Sequence, residues 1–125
     1  MKLLLDTHVV LWWLDDPLLL SAAAREAIAD PGNEVFVSAV VCWEIAIKRA
    51  IGKLTAPRDL RGALQSCGFT ELSITPAHAL ATETLPKYHR DPFDRLLVAQ
   101  ALLEQALLVS RDPWVSAYEP ATVIA

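Results

Sequence analysis

Short runs of consecutive apolar residues, each followed by a stretch of helical character, constrain this chain more than any other feature. Leu3–Leu5 is too short for a helix and reads as a buried strand. Val9–Leu14 follows as a short helix ended by Asp15-Asp16-Pro17, and Ser21 caps a helix that Asp30-Pro31-Gly32 stops after Ala29. Glu34–Val37 reads as a second strand, and Ser38 caps a helix to Ile51 that Gly52 ends. Asp59–Cys67, closed by Gly68, reads as a helix, with a weaker third strand at Leu72–Ile74. Thr75-Pro76 opens a helix through Thr84 and Asp91-Pro92 opens one through Gln105. Leu107–Val109 and Thr122–Ile124 complete the strands. Strands apolar on both faces and separated by helices predict an α/β fold. It has three layers, α/β/α, around a central parallel sheet of about five strands.

A length of 125 residues fits a single domain over 1–125. The apolar fraction, 54%, exceeds the ~45–50% of ordinary soluble domains, which suggests apolar surface covered by a partner or a second copy. The opening Met1–Leu5 run is broken by Asp6 too early for a signal peptide, and no apolar stretch is long enough to span a bilayer. Cys42 and Cys67 match no zinc or redox spacing and read as reduced, mostly buried thiols of a cytoplasmic protein. The net charge of −4 argues against extended duplex binding, but not against a nuclease, whose metal brings its own positive charge.

In open parallel sheets ligands sit beyond the carboxyl ends of the strands. Asp6 directly follows the first strand and Asp112 lies three residues after the fourth, so both belong on that edge. Each also has a structural reading. Asp6 can cap the helix after it, and Asp112-Pro113 is a good cap pair, one of four Asp-Pro pairs with Asp16, Asp30 and Asp91. Glu44 is harder to explain so, because it is the one charge in Val40–Ile47. A buried carboxylate needs a partner or a metal; an exposed i,i+4 pair with Lys48 is the bland alternative. Asp94, three residues after Asp91, suits a helix first turn and also faces the same edge. Four converging carboxylates repel unless a cation joins them, and all-oxygen donors select magnesium or manganese over zinc. Among the histidines, His8 can touch substrate or serve the surface or a cap, while His78 reads as a helix residue without catalytic meaning.

These residues resemble the PIN-domain family, and in particular VapC-type toxins of bacterial toxin–antitoxin pairs. Leu3-Leu4-Leu5-Asp6-Thr7-His8 resembles the family's opening, Trp43-Glu44-Ile45-Ala46-Ile47-Lys48 its second acidic motif, and Ser110-Arg111-Asp112 its fourth. His89-Arg90-Asp91-Pro92-Phe93-Asp94-Arg95 with Leu96–Ala101 resembles the third and is the most specific. The resemblance implies a Mg- or Mn-dependent endoribonuclease in which Asp6, Glu44, Asp94 and Asp112 hold the metal, Asp6 and Asp94 most directly. Ser110 stands where the family often has Thr, keeping a hydroxyl; Thr7, His8 and Asp91 would support the site or touch substrate. It also implies a cognate antitoxin laid along an apolar groove, with a basic side chain placed in the acidic site. Trp12 and Trp13 fit such a covered surface, a homodimer interface, or simply core. Lys48, Arg49, Lys53, Arg90 and Arg95 are the cations available to hold RNA, or are solvated helix faces.

Three further readings bear on these residues. A receiver-type signalling domain is also a small α/β protein with acids at strand ends, but Thr7-His8 follows Asp6 here and no lysine occurs beyond Lys87. A haloacid-dehalogenase-like phosphatase would want a second Asp where His8 stands. A catalytically silent binding domain is the other class.

Overall fold

The computed structural model describes residues 1–86, 91–117 and 122–125, with side chains to residue 115 and at Ala125. Five parallel strands, β1 (Lys2–Leu5), β2 (Glu34–Ser38), β3 (Thr70–Leu72), β4 (Leu107–Ser110) and β5 (Thr122–Ile124), form one sheet in the order β3-β2-β1-β4-β5. The helices are α1 (Thr7–Asp15), α2 (Ala22–Ala29), α3 (Ala39–Ala50), α4 (Leu60–Ser66), α5 (Pro76–Ala81), α6 (Pro92–Glu104) and α7 (Pro113–Ala117). The expected α/β/α layering around a parallel sheet is what the chain adopts. A receiver-type domain would instead order its strands 2-1-3-4-5, so that reading falls.

The order explains the apolar runs. β1 lies at the centre between β2 and β4, and Leu3, Leu4 and Leu5 are all fully buried because both faces of the strand are covered. Each such leucine contributes about 2 kcal/mol relative to exposure. From β1 the chain winds outward to β2 and β3, then returns to place β4 on the other side of β1. The winding reverses between β1 and β4, where a parallel sheet leaves a crevice at its carboxyl edge.

Most boundaries follow the capping chemistry. Asp6, Ser21, Ser38, Asp59, Thr75 and Asp91 each accept a backbone N–H at the start of a helix. Gly52 and Gly68, at φ +72° and +78°, end α3 and α4 in the left-handed conformation that glycine adopts without strain.

Beyond shifts of one or two residues at other element ends, one strand, one helix end and one burial reading differ from expectation. The third strand is Thr70–Leu72, two residues earlier than Leu72–Ile74. It pairs Phe36 with Thr70 and Ser38 with Leu72, while Phe69 enters the core and Ile74 is exposed. An edge strand tolerates Thr70 and Glu71, so apolar alternation marks it poorly; Glu71 is bound bidentately by Arg61 at 2.8 and 2.9 Å. α5 stops at Ala81 and tightens into a 3-10 turn, Thr82–Thr84, where the Thr82 and Thr84 hydroxyls bond back to the carbonyls of Ala79 and Ala81. Cys42 is half-buried and Cys67 exposed, rather than both buried, though both are free thiols. Trp12 and Trp13 pack partly buried against the core, leaving Trp43 and Trp114 as the exposed tryptophans.

A buried polar chain ties the sheet to the helices. Gln100, fully buried on α6, accepts from the Ser38 hydroxyl at 2.5 Å and donates to the Ser73 carbonyl at 3.3 Å. Its amide also lies 3.3 Å from Nδ1 of His78, and Nε2 of His78 meets Glu104 at 2.8 Å. His78 is therefore a structural residue, as its helix position suggested. Gln100→Leu should destabilise the protein by about 2–4 kcal/mol in denaturant titration, because it orphans several buried polar groups at once. A loss below ~1 kcal/mol would mean that water or rotamer change satisfies them.

Candidate active site

Each candidate acid is delivered to the β1–β4 crevice by a different element. The backbone N–H of Asp6 extends the β1–β4 ladder by donating to the Val109 carbonyl at 3.1 Å. Its side chain then turns into the crevice as the cap of α1, accepting from Val9 N–H at 2.9 Å. Glu44 comes from the second turn of α3, which packs against α1 and α6. Asp94 sits in the first turn of α6, whose cap is Asp91. Asp112 follows β4 and caps α7, accepting from Trp114 N–H at 2.9 Å. All five carboxylates line one cleft of about 400 Å³, with Thr7, His8 and Trp12 from α1. Among the described residues, Lys48 and Arg111 are the cations that line it.

The acids differ in burial and in partners. Asp6, Glu44 and Thr7 are 8%, 6% and 7% exposed, and Ser110 is buried beneath them. Burial pushes the Asp6 carboxyl above its usual range, and the charge of Asp112 adds to the rise. Hydrogen bonds from Ser110 and from Val9 N–H oppose it. Glu44 accepts from the Thr7 hydroxyl at 2.6 Å and from Nζ of Lys48 at 2.5 Å. Glu44 is buried, as its apolar stretch suggests, and the i,i+4 pair with Lys48 supplies that buried carboxylate with a partner. The Glu44 bond raises the Lys48 ammonium pKa, aided by the negative charges of Asp91 and Asp94.

The donor set suits a hard divalent cation: carboxylates and the Thr7 hydroxyl, with no thiol and one exposed imidazole. Among the described residues, however, no three His, Cys, Asp or Glu side chains are drawn together as a ready-made cage. Asp6, Asp91 and Asp112 hold helix caps and Glu44 holds Lys48. Magnesium needs no such cage, because it keeps several waters and takes one or two carboxylates directly.

The supporting residues fall partly where expected. Thr7 orients Glu44, and the Ser110 hydroxyl bonds Asp6 and accepts from Asp112 N–H at 3.1 Å. Of the expected cations, Lys48 reaches the cleft. Arg49 donates to the Pro57 carbonyl, and Arg95 holds the carbonyls of Thr82, Leu85 and Pro86, so neither is aimed at a ligand there. Lys53 is exposed on the loop after α3, away from the cleft lining. Arg90 and His89 lie outside the described residues. Arg111 was not among the expected cations, although it stands inside the Ser110-Arg111-Asp112 motif. Its position depends on the carbonyls of Ala125 and Leu19, far away in sequence.

Comparison with known proteins places the chain in a family. The family model of the PIN domain matches residues 3–118. The chain is 35% identical over 117 residues to Ribonuclease VapC22 of Mycobacterium tuberculosis (strain ATCC 25618 / H37Rv), covering 87% of this chain and 85% of that protein. Its fold is similar to a chain of VapBC2 from Rickettsia felis bound to a DNA fragment from their promoter, with TM-score 0.70, 13% identity and coverage of 98% and 96%. It is also similar to FitAcB from Neisseria gonorrhoeae, with TM-score 0.58, 15% identity and coverage of 96% and 95%. With these relatives and acids gathered at the β1–β4 crevice, the chain belongs to the PIN-domain family.

Proposed function

We propose that this protein is a Mg- or Mn-dependent endoribonuclease, the toxin of a toxin–antitoxin pair, hydrolysing RNA phosphodiester bonds in the β1–β4 crevice. The observation that carries the reading is the convergence of Asp6, Glu44, Asp94 and Asp112 on one cleft in a relative of a VapC ribonuclease. A divalent ion bound there lowers the pKa of a water and offsets charge on the phosphate and leaving oxygen. Asp6 and Asp94 would hold the ion most directly. Glu44, oriented by Thr7, and Asp112 are the two candidates to take the water's proton. Lys48 and Arg111 offset the charge of the incoming phosphodiester, which a cleft of five carboxylates would otherwise repel.

The apolar excess belongs to partners. Trp43 and Ile47 on α3 and Ile51 at its C-cap recur every four residues and are 57%, 38% and 61% exposed, more than a solvated helix needs. A cognate antitoxin covers such a face in the proposed pair, and a homodimer would cover it equally. Among the described residues no helix is long and apolar enough to cross a membrane, in keeping with a cytoplasmic toxin.

The test is cleavage of a mixed panel of structured and single-stranded RNAs by the purified chain. Mn²⁺ or Mg²⁺ should support cleavage, EDTA should abolish it, and excess Mn²⁺ should restore it. Wild-type protein, shown folded and free of contaminating nuclease, that gives no metal-stimulated cleavage would overturn the reading in favour of a binding-only domain.

A further inference from the structure

One wall of the acidic cleft is an aromatic stack that metal binding does not require. The His8 and Trp12 rings, one turn apart on α1, lie 5.6 Å apart at 28°. The Arg111 guanidinium sits over the Trp12 ring, 4.2 Å from its centroid. Arg111 is itself held in place, donating from Nε to the Ala125 carbonyl at 2.7 Å and from Nη2 to the Leu19 carbonyl at 2.5 Å. The guanidinium is therefore a fixed plate that braces Trp12, and Trp12 in turn backs His8. His8 is exposed and faces the cleft that holds Asp6 and Asp112. Trp12 also borders a second hollow of about 330 Å³, lined by Thr55, Ala56 and Pro57, so the stack stands between the acids and a continuing groove.

The geometry points to a nucleobase-stacking subsite: a base beside the scissile phosphate stacks on His8, supported from behind by Trp12 and Arg111. The inference rests on the ribonuclease reading and names how that site holds its substrate. Base stacking on an aromatic ring tolerates any base. It supplies the affinity that a carboxylate-rich cleft cannot obtain from phosphate contacts alone. It also orients the backbone, which fixes one phosphate near Asp6.

The test uses a short single-stranded RNA that the protein binds in Ca²⁺ and a series in which single nucleotides are made abasic in turn. KM and kcat are measured in Mn²⁺, and binding is followed by fluorescence anisotropy in Ca²⁺. The variants are His8→Ala, His8→Phe and Trp12→Ala. One abasic position next to the cut should weaken wild-type binding and raise KM about tenfold. His8→Ala should do the same with kcat largely kept, and should erase the penalty of that abasic position. His8→Phe should restore intact-RNA binding to within about twofold of wild type, since it keeps a stacking face. Trp12→Ala should reduce the abasic penalty while the protein stays folded. Equal affinity for every abasic RNA, or a His8→Phe variant as defective as His8→Ala, would overturn the subsite. The second result would assign His8 a hydrogen-bonding or proton-transfer role instead. Coupling seen in anisotropy without any Mn²⁺-dependent cleavage would uphold the stack and refute the ribonuclease reading. Cleavage without coupling would do the reverse.

Discussion

Replacing Asp6 by asparagine should lower RNA cleavage by at least about a hundredfold while leaving the metal-free protein as stable as the wild type, or more so. The loss of rate follows from its position. Residues that merely support metal ligands cost ~10–100-fold when removed, and a direct ligand should cost more. The stability follows from the electrostatics. Asp6 is buried, and burial holds its carboxyl pKa above the ordinary value of 3.8. The folded chain therefore binds the proton more tightly than the unfolded chain does. This group favours folding as pH falls through the raised pKa and opposes it once ionised at neutral pH. Asparagine removes the charge and keeps an oxygen to accept the Val9 N–H, so the α1 cap survives. A rise of a few degrees in Tm at pH 7 in EDTA is expected, which is what about 1 kcal/mol amounts to in a domain of this size. The difference should shrink as pH falls through the raised value and vanish only below the ordinary value of 3.8, where the wild-type carboxyl is protonated in both states. Mg²⁺ should raise the Tm of the wild type and not of the variant. With metal well below saturation, cleavage should fail on acidification at a higher pH than an ordinary aspartate would set, because protons compete with the metal for a carboxyl whose pKa burial raises. A variant with wild-type rate would sink the four-acid mechanism. A lower Tm at neutral pH would sink the account of Asp6 as an electrostatically strained residue.

How far the site is legible in the sequence depends on whether a residue's role is local. Asp6 and Asp112 are marked by strand ends, since a parallel sheet presents its ligands at that edge whatever the rest of the chain does. Glu44 is marked by its apolar helix, and the burial it suggests is observed. Asp91 and Asp94 are ambiguous at the level of sequence because a helix start wants acids for its own reasons; Asp91 is indeed the cap, and both also line the cleft. Arg111 was passed over because nothing near it in sequence says where its guanidinium goes. Its Nη2 partner is the Leu19 carbonyl, 92 residues away. Trp12 is left open by the sequence for a similar reason. Its helical spacing speaks equally for core and interface, and only the return of β4 beside β1 sets Arg111 over its ring. Arg49 and Arg95 failed in the opposite direction. Their charge suggested a ligand, but backbone carbonyls already take their donors. The edge strand β3 was displaced because its register is dictated by Phe69 and the pairing to β2, not by apolar alternation.

Lys48→Met should give the second large effect, a loss of about 1–2 kcal/mol in the metal-free protein that divalent cation restores. Lys48 serves as the counter-ion of Glu44. Breaking a fully buried ion pair by removing one partner costs about 3–5 kcal/mol, because the remaining charge is left uncompensated. Here the Lys48 side chain is 38% exposed and that of Glu44 only 8%. Solvent screens the lysine end, which lowers the expected loss. Methionine keeps the aliphatic length, so the change is mainly in charge. The raised pKa of Lys48 keeps the ammonium charged throughout the neutral range; its contribution is lost only as pH climbs through that raised value. Lys48 is thus a resident cation beside the acids, and an arriving metal ion must share Glu44 with it or displace it. Removing it should increase the Tm gain from Mn²⁺ relative to wild type, since the ion then neutralises an otherwise unpaired carboxylate. The double variant Lys48→Met/Glu44→Gln should recover most of the lost stability and lose the enlarged Mn²⁺ response. In RNA cleavage the single variant should show a raised KM, because one of the two described cations lining the cleft is gone. If Mn²⁺ shifts the Tm of Lys48→Met no more than that of the wild type, Glu44 lies outside the metal's reach. Its bond to Lys48 would then be structural, leaving Asp6, Asp94 and Asp112 to hold the ion.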